Sequence, residues 1–159
     1  MIVTLQEVFS SAHFYAQAQW SEEKNRQVFG RCYTPYGHGH NYKLEASFQL
    51  DDFIEPVPGQ NQLFAAKSSS SLDKTLTEKY QPQITALQTL LKTVVQKLDH
   101  EHLNFVIAEF KEKVPTTENI ALYLADQVNK ELRPKPQPRL TRIKLYEMED
   151  LWVDLKIHN

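Results

Sequence analysis

Disulfides, membrane spans and a surplus of either charge are all missing from this chain. It holds one cysteine among 159 residues, which excludes an intramolecular disulfide framework. No window approaches the ~20 consecutive apolar residues of a transmembrane helix. The N-terminus, Met1-Ile-Val-Thr-Leu-Gln-Glu-Val8, lacks the basic start and apolar run of a secretory leader. The expectation is a soluble, cytoplasmic protein with no membrane among its partners. Lys and Arg number 18 against 20 Asp and Glu, a net charge of −2, so composition carries no footprint for nucleic acid or an acidic membrane surface. Glycine is scarce at four residues, against about 7% in ordinary chains. Internal repeats are absent. Low complexity is confined to Ser68–Ser71 and to Pro134, Pro136 and Pro138, which read as loop.

What is present suffices for a single domain spanning residues 1–159. With 41% hydrophobic and 24% charged residues, the chain can bury a core and lies outside the disordered class. Three of the four glycines, Gly30, Gly37 and Gly39, fall in one ten-residue stretch with Cys32, beside His38 and His40. A chain poor in glycine and cysteine concentrates both next to a histidine pair.

The clearest strand is Tyr42–Leu50, where Tyr42, Leu44, Ala46, Phe48 and Leu50 alternate with Lys43, Glu45, Ser47 and Gln49. Strict period-2 alternation gives a strand with one buried face. Ile2–Phe9 is rich in β-formers and reads as another strand. Ile143, Leu145 and Glu147 share one parity, as do Leu151, Val153, Leu155 and Ile157; with Met148-Glu-Asp150 between them they read as a hairpin. Ile84, Leu87, Leu90, Leu91, Val94, Val95 and Leu98 follow helical spacing, with Pro82 suited to the first turn. Glu118–Leu132 is a second helix, with Thr116 or Thr117 as N-cap and Pro134 as its stop. The order β-β-α-α-β-β predicts an α+β domain: a four-stranded antiparallel sheet with two helices on one face. The other face and both edges then need cover from loops or other subunits.

If the second strand extends back from Tyr42, His38 and His40 share its face and can chelate one metal ion. His13, just past the first strand, is a third donor if the two strands pair. Three neutral imidazoles with one vacant position match a catalytic zinc; the plainer alternative is an ordinary strand pair and a loop histidine. Cys32 can be a fourth ligand of a closed, structural zinc site, a thiolate base or nucleophile, or a buried thiol. Asp99 and His100 are adjacent, so the carboxylate can orient and charge the imidazole for proton transfer, or the histidine can simply complement a helix C-terminus. Glu147 falls on a face that should be buried, where a carboxylate must be paired or bind something, unless the strand end lets it reach solvent.

Five collinear segments carry a resemblance. They are Phe9-Ser-Ser-Ala-His13, Phe29-Gly-Arg-Cys-Tyr-Thr-Pro-Tyr-Gly-His-Gly-His-Asn-Tyr42, Leu98-Asp-His-Glu-His-Leu-Asn104, Pro115-Thr-Thr-Glu-Asn119 and Leu145-Tyr-Glu147. Together they resemble the 6-pyruvoyltetrahydropterin synthase family, which includes the 6-carboxytetrahydropterin synthases of the queuosine pathway. The resemblance implies the tunnelling fold, in which subunits join their sheets into a barrel, and a homo-hexamer built as a dimer of trimers. It implies 7,8-dihydroneopterin triphosphate as substrate and elimination of its triphosphate. It also implies Zn2+ on His13, His38 and His40, Cys32 as general base, and Asp99 with His100 as proton relay. Glu147 would receive the N–H groups of the pterin ring, and Thr116, Thr117 and Glu118 would line the same pocket.

Two departures bear on the reading. The Gly-Met-Val stretch that usually leads the family into its first helix is absent, and Asp51–Gln81 reads as an atypical loop insertion. The five-residue gap between Cys32 and His38, with Thr-Thr-Glu-Asn, looks more like the pyruvoyl than the carboxy synthases. Three functions follow: a zinc-dependent pterin lyase, with the pyruvoyl product ahead of the carboxy product; a non-catalytic pterin-binding paralogue; or a structural zinc protein using Cys32 as a ligand.

Overall fold

The computed structural model describes residues 1–50, 69–132 and 138–157, with 69–77 as backbone alone. Four long strands form the body of one sheet: β1 (Ile2–His13), β2 (His38–Gln49), β4 (Arg139–Met148) and β5 (Leu151–Lys156). A two-residue strand, β3 (Glu101–His102), adds to β1 in parallel, giving the order β3-β1-β2-β4-β5. The sheet therefore has five strands rather than the expected four, because two residues are too few to show any periodicity. β1 and β2 pair antiparallel without a break from Ile2↔Gln49 to His13↔His38. β2 pairs with β4, with a bulge at Ser47/Phe48. β4 and β5 form the expected hairpin, closing at Met148↔Leu151. Leu151 sits at that turn and is exposed, unlike its parity partners Val153 and Leu155, which pack on the core.

Helices α2 (Ser69–Gln96) and α4 (Thr117–Leu132) cover one face of the sheet. Leu87, Leu91, Val94, Val95, Ile120, Leu124 and Val128 bury against Tyr42, Leu44, Ala46, Phe48, Leu140, Ile143 and Leu145. Full burial of each such side chain contributes about 1.5–3 kcal/mol, which makes this layer the main source of stability. α2 begins earlier than its apolar stripe: Ser69–Ser71 and residues 72–81 are helical, not loop. Pro82 accordingly lies inside the helix, not in its first turn. An interior proline removes one helical hydrogen bond and costs about 3 kcal/mol. Packing on either side offsets that cost, since Tyr80 and Leu87 are both buried. The remainder of the expected insertion, 51–68, and the expected stop at Pro134 lie outside the described residues.

A short helix, α1 (Glu22–Phe29), and α3 (Leu103–Val106) are not legible in the apolar pattern. α1 buries only Asn25, so it has no stripe to read. Its signals are local: Ser21 caps it by accepting from Lys24 N at 3.2 Å, and Glu22 and Glu23 occupy the first turn, where acidic groups favour the dipole. Asn25 then ties the preceding loop. Its Nδ2 donates to the carbonyls of Gln17, Trp20 and Ser21, and its Oδ1 accepts from Gln17 N at 2.7 Å. This knot fixes the path of the chain into the 3-10 turn Gly30–Cys32.

Candidate metal centre and its surroundings

Register brings the histidines together. β1 runs four residues beyond Phe9, and β2 starts four before Tyr42, so His13 stands opposite His38 and Ser11 opposite His40. All three imidazoles lie on the helix-covered side, His13 wholly buried and the other two half-buried. One donor atom from each lies within 4.8 Å of the others, and His13 Nε2 is 3.1 Å from His38 Nε2. Two nitrogens bound to one tetrahedral zinc, each about 2.0–2.1 Å from it, stand about 3.3 Å apart. The residues thus fit a metal ion. His38 Nδ1 and His40 Nε2 are buried with no hydrogen-bond partner among the described residues.

Electrostatics point the same way. Burial, then repulsion from His38 and His40, lowers His13 from 6.5 to about 3. His38 is lowered by burial and by His40, against a smaller opposing pull from Glu147. Both rings are therefore neutral at physiological pH, the form that binds a metal. Gly37, at φ +74°, packs where a Cβ would come within 2.7 Å of both His13 O and His102 Nε2. Gly39 is less constrained, since a Cβ there meets only Ser11 O at 3.5 Å.

Glu147 is buried, as its parity implied. Thr117 Oγ1 donates to its Oε2 at 2.5 Å, and Oε1 lies 3.4 Å from His40 Nε2. Thr117 opens α4, while Thr116 serves the helix itself as N-cap, accepting from Asn119 N at 3.4 Å and from Ile120 N at 2.9 Å through its carbonyl. Glu118 is exposed and contributes field at Tyr15. Cys32 is half-buried on its 3-10 turn, and its carbonyl accepts from Tyr15 N at 2.8 Å. Burial and the Glu147 charge push its thiol up. Among the described residues the ligand cluster comprises the three histidines and not Cys32, so the closed four-ligand arrangement is not formed.

Asp99 and His100 do not join this group. Asp99 Oδ1 accepts from Ser10 N at 2.9 Å, and His100 N donates to Ser10 O at 2.6 Å. The His100 ring is 83% exposed, 3.7 Å from Asp99 Oδ2, on a residue with φ +61°. It borders a cleft of about 420 Å³ that Ser10, Gly39, Asn41 and His40 also line.

Sequence reasoning missed several residues that shape the site. The Tyr15 ring stands edge-on to His13 at 5.1 Å and to Phe29 at 5.8 Å, and burial, Glu147 and Cys32 together raise its phenol. Nothing in its neighbourhood signalled this. Asn104 is buried and clamps Phe14, accepting from its N at 2.9 Å and donating to its O at 3.1 Å. The Tyr42 hydroxyl is 3.1 Å from His13 Nδ1. A buried tyrosine must find a polar partner, and its shared parity with His38 and His40 was the available signal.

Known proteins resemble this chain over nearly its whole length. A family model described as 6-pyruvoyl tetrahydropterin synthase matches residues 2–157. A 6-pyruvoyl tetrahydrobiopterin synthase of Dictyostelium discoideum is 33% identical over 154 residues, covering 96% of this chain and 93% of that protein. The protein of that name from Poecilia reticulata is 33% identical over 141 residues, covering 89% and 81% respectively. The solved 6-pyruvoyl tetrahydropterin synthase of Caenorhabditis elegans superposes with a TM-score of 0.70 at 25% identity, covering 99% of this chain and 97% of that one.

Proposed function

The chain belongs to the 6-pyruvoyl tetrahydropterin synthase family and is an enzyme of that lyase class, and we propose that it eliminates triphosphate from 7,8-dihydroneopterin triphosphate to give 6-pyruvoyltetrahydropterin. The observation that carries this is a buried carboxylate beside a metal-ready histidine cluster: Glu147, held by Thr117, stands 3.4 Å from His40. His13, His38 and His40 hold Zn2+ in this reading. When bound, the ion supplies a Lewis acid for the side-chain oxygens of the substrate and positive charge that favours the Cys32 thiolate.

The chain's own groups do the rest. Glu147 accepts the N–H groups of the pterin ring, and Thr117 occupies one of its oxygens so that the carboxylate cannot rotate. Cys32 takes a proton from a side-chain carbon, and the triphosphate leaves with the electron pair of its C–O bond. Burial and Glu147 hold the thiol protonated in the metal-free chain, so the base is armed only beside a cation. Asp99 and His100 carry the proton onward. His100 is 83% exposed and in this reading serves the site of a neighbouring copy within a homo-hexamer, a dimer of trimers. A cytoplasmic location accords with this, and no helix among the described residues is long and apolar enough to cross a membrane.

The test is incubation of the purified protein with the triphosphate and identification of products by mass. The expected products are 6-pyruvoyltetrahydropterin and triphosphate. Acetaldehyde with 6-carboxytetrahydropterin replaces this reading by the queuosine-type reaction, and substrate bound but unchanged replaces it by a pterin-binding paralogue.

A further inference from the structure

We propose that Tyr42 is a positioning residue of the metal centre: its hydroxyl oxygen accepts the Nδ1 proton of His13 and thereby turns the Nε2 lone pair toward His38 and His40. The inference rests on the metal reading above and adds a residue outside the ligand set.

A neutral imidazole carries one proton, on either nitrogen, and the bond made by one nitrogen decides what the other can do. For His13 the choice is made inside the protein, since the residue has no exposed surface. Its Nε2 is aimed at His38 Nε2, 3.1 Å away, and its Nδ1 at the Tyr42 hydroxyl, also 3.1 Å away. A proton on Nε2 would occupy the space between the ligands. A proton on Nδ1 meets the phenol oxygen and leaves Nε2 bare.

The phenol is itself immobile. Tyr42 has no exposed surface, pairs with Phe9 across β1 and β2, and stacks on its ring at 4.9 Å with 13° between planes. Period 2 places it on the face of His38 and His40, one step further into the core. His38 has no such backing, since its Nδ1 is without a hydrogen-bond partner among the described residues. His13 is therefore the fixed ligand against which the two β2 histidines close. Partners of this kind orient metal-binding histidines and, when lost, lower metal affinity by roughly 10- to 100-fold.

The experiment uses the full chain, stripped of metal and labelled with 15N. Ring nitrogen shifts report the tautomer of each histidine. The expected result is His13 protonated on Nδ1 in the metal-free protein and a mixture of tautomers in Tyr42→Phe. A wild-type His13 protonated on Nε2 overturns the proposal, with no variant needed. Zinc affinity, measured by competition with a chromophoric chelator, is expected to fall roughly 10- to 100-fold in Tyr42→Phe. Equal affinity in the two proteins overturns this inference and leaves the metal reading standing. Failure of the wild-type protein to take up zinc overturns both. A role in packing alone would move the unfolding temperature but neither the tautomer nor, in folded protein, the affinity.

Discussion

The two histidine groups of this chain make opposite use of one sheet. At the shared end of β1 and β2, His13, His38 and His40 stand together, with His13 and His38 kept neutral by burial and by the repulsion of their neighbours, and with Tyr42 and Glu147 beside the cluster. A few residues away along β1, His100 stands 83% exposed on a left-handed backbone, tied only through Ser10 and Asp99. The first arrangement suits groups that must hold one charge state and one geometry. The second leaves the ring open to solvent. His100 lies outside the cluster of His13, His38 and His40.

The largest effects should come from breaking each side separately. His38→Ala removes a ligand, and zinc content measured on the purified variant should fall to near zero together with turnover. Cys32→Ala should keep its zinc while turnover drops by about 10²- to 10⁴-fold, the usual worth of a positioned base. Loss of zinc in Cys32→Ala would instead make the cysteine a ligand and return the centre to a structural role.

Next in size is a test of the separation itself. If Cys32 of one copy works with His100 of another, Cys32→Ala and His100→Ala proteins are each inactive, yet unfolded together and refolded they regain activity. Random assembly leaves about a quarter of two-chain sites with both wild-type residues in a symmetric oligomer. A mixture no more active than its parents would place both groups in one chain's site.

Much of this contrast is legible in the amino-acid sequence, for a physical reason. Strand parity is a strict period of two, so the faces of Tyr42, Leu44, Ile143 and Glu147 follow from their numbers alone. The His13–His38 pairing is conditional on register, which depends on how far each strand extends, and neither β1 nor β2 shows its full length in its apolar pattern. α1 leaves no such mark because it buries one asparagine rather than an apolar stripe. Ser69–Ser71 read as loop because a helix can start before its hydrophobic face does. That His100 stands exposed on a positive-φ backbone has no sequence signature, since a turn outside the regular elements sets it.

A smaller effect concerns acid. His13 falls to about 3 in the folded chain against 6.5, so at intermediate pH the unfolded state binds the extra proton. The stability held above pH 6.5 is then lost as pH drops toward 3, with a slope of up to about 1.4 kcal/mol per pH unit for each such histidine. Urea midpoints of the metal-free protein should fall between pH 7 and pH 5, and His13→Gln should flatten the decline. An equal decline in His13→Gln would assign it to other groups.

The smallest effect tests whether strain, too, is divided between the two regions. Gly37 and His100 both hold positive φ, at +74° and +61°, but one is a glycine pressed against His13 and the other a bare side chain in solvent. Gly37→Ala meets both the left-handed penalty of about 1–2 kcal/mol and contact with His13 O and His102 Nε2, so it should lower the unfolding midpoint and weaken zinc binding together. His100→Gly removes the same penalty at a site where the ring packs on little, and should leave stability unchanged or raise it by up to about 1 kcal/mol, while abolishing turnover. Gain of stability with loss of activity would show that the fold tolerates a strained histidine there because proton transfer requires one. If His100→Gly destabilises the chain, the residue is part of the scaffold, and the proposed division of labour between the two regions fails at its more exposed half.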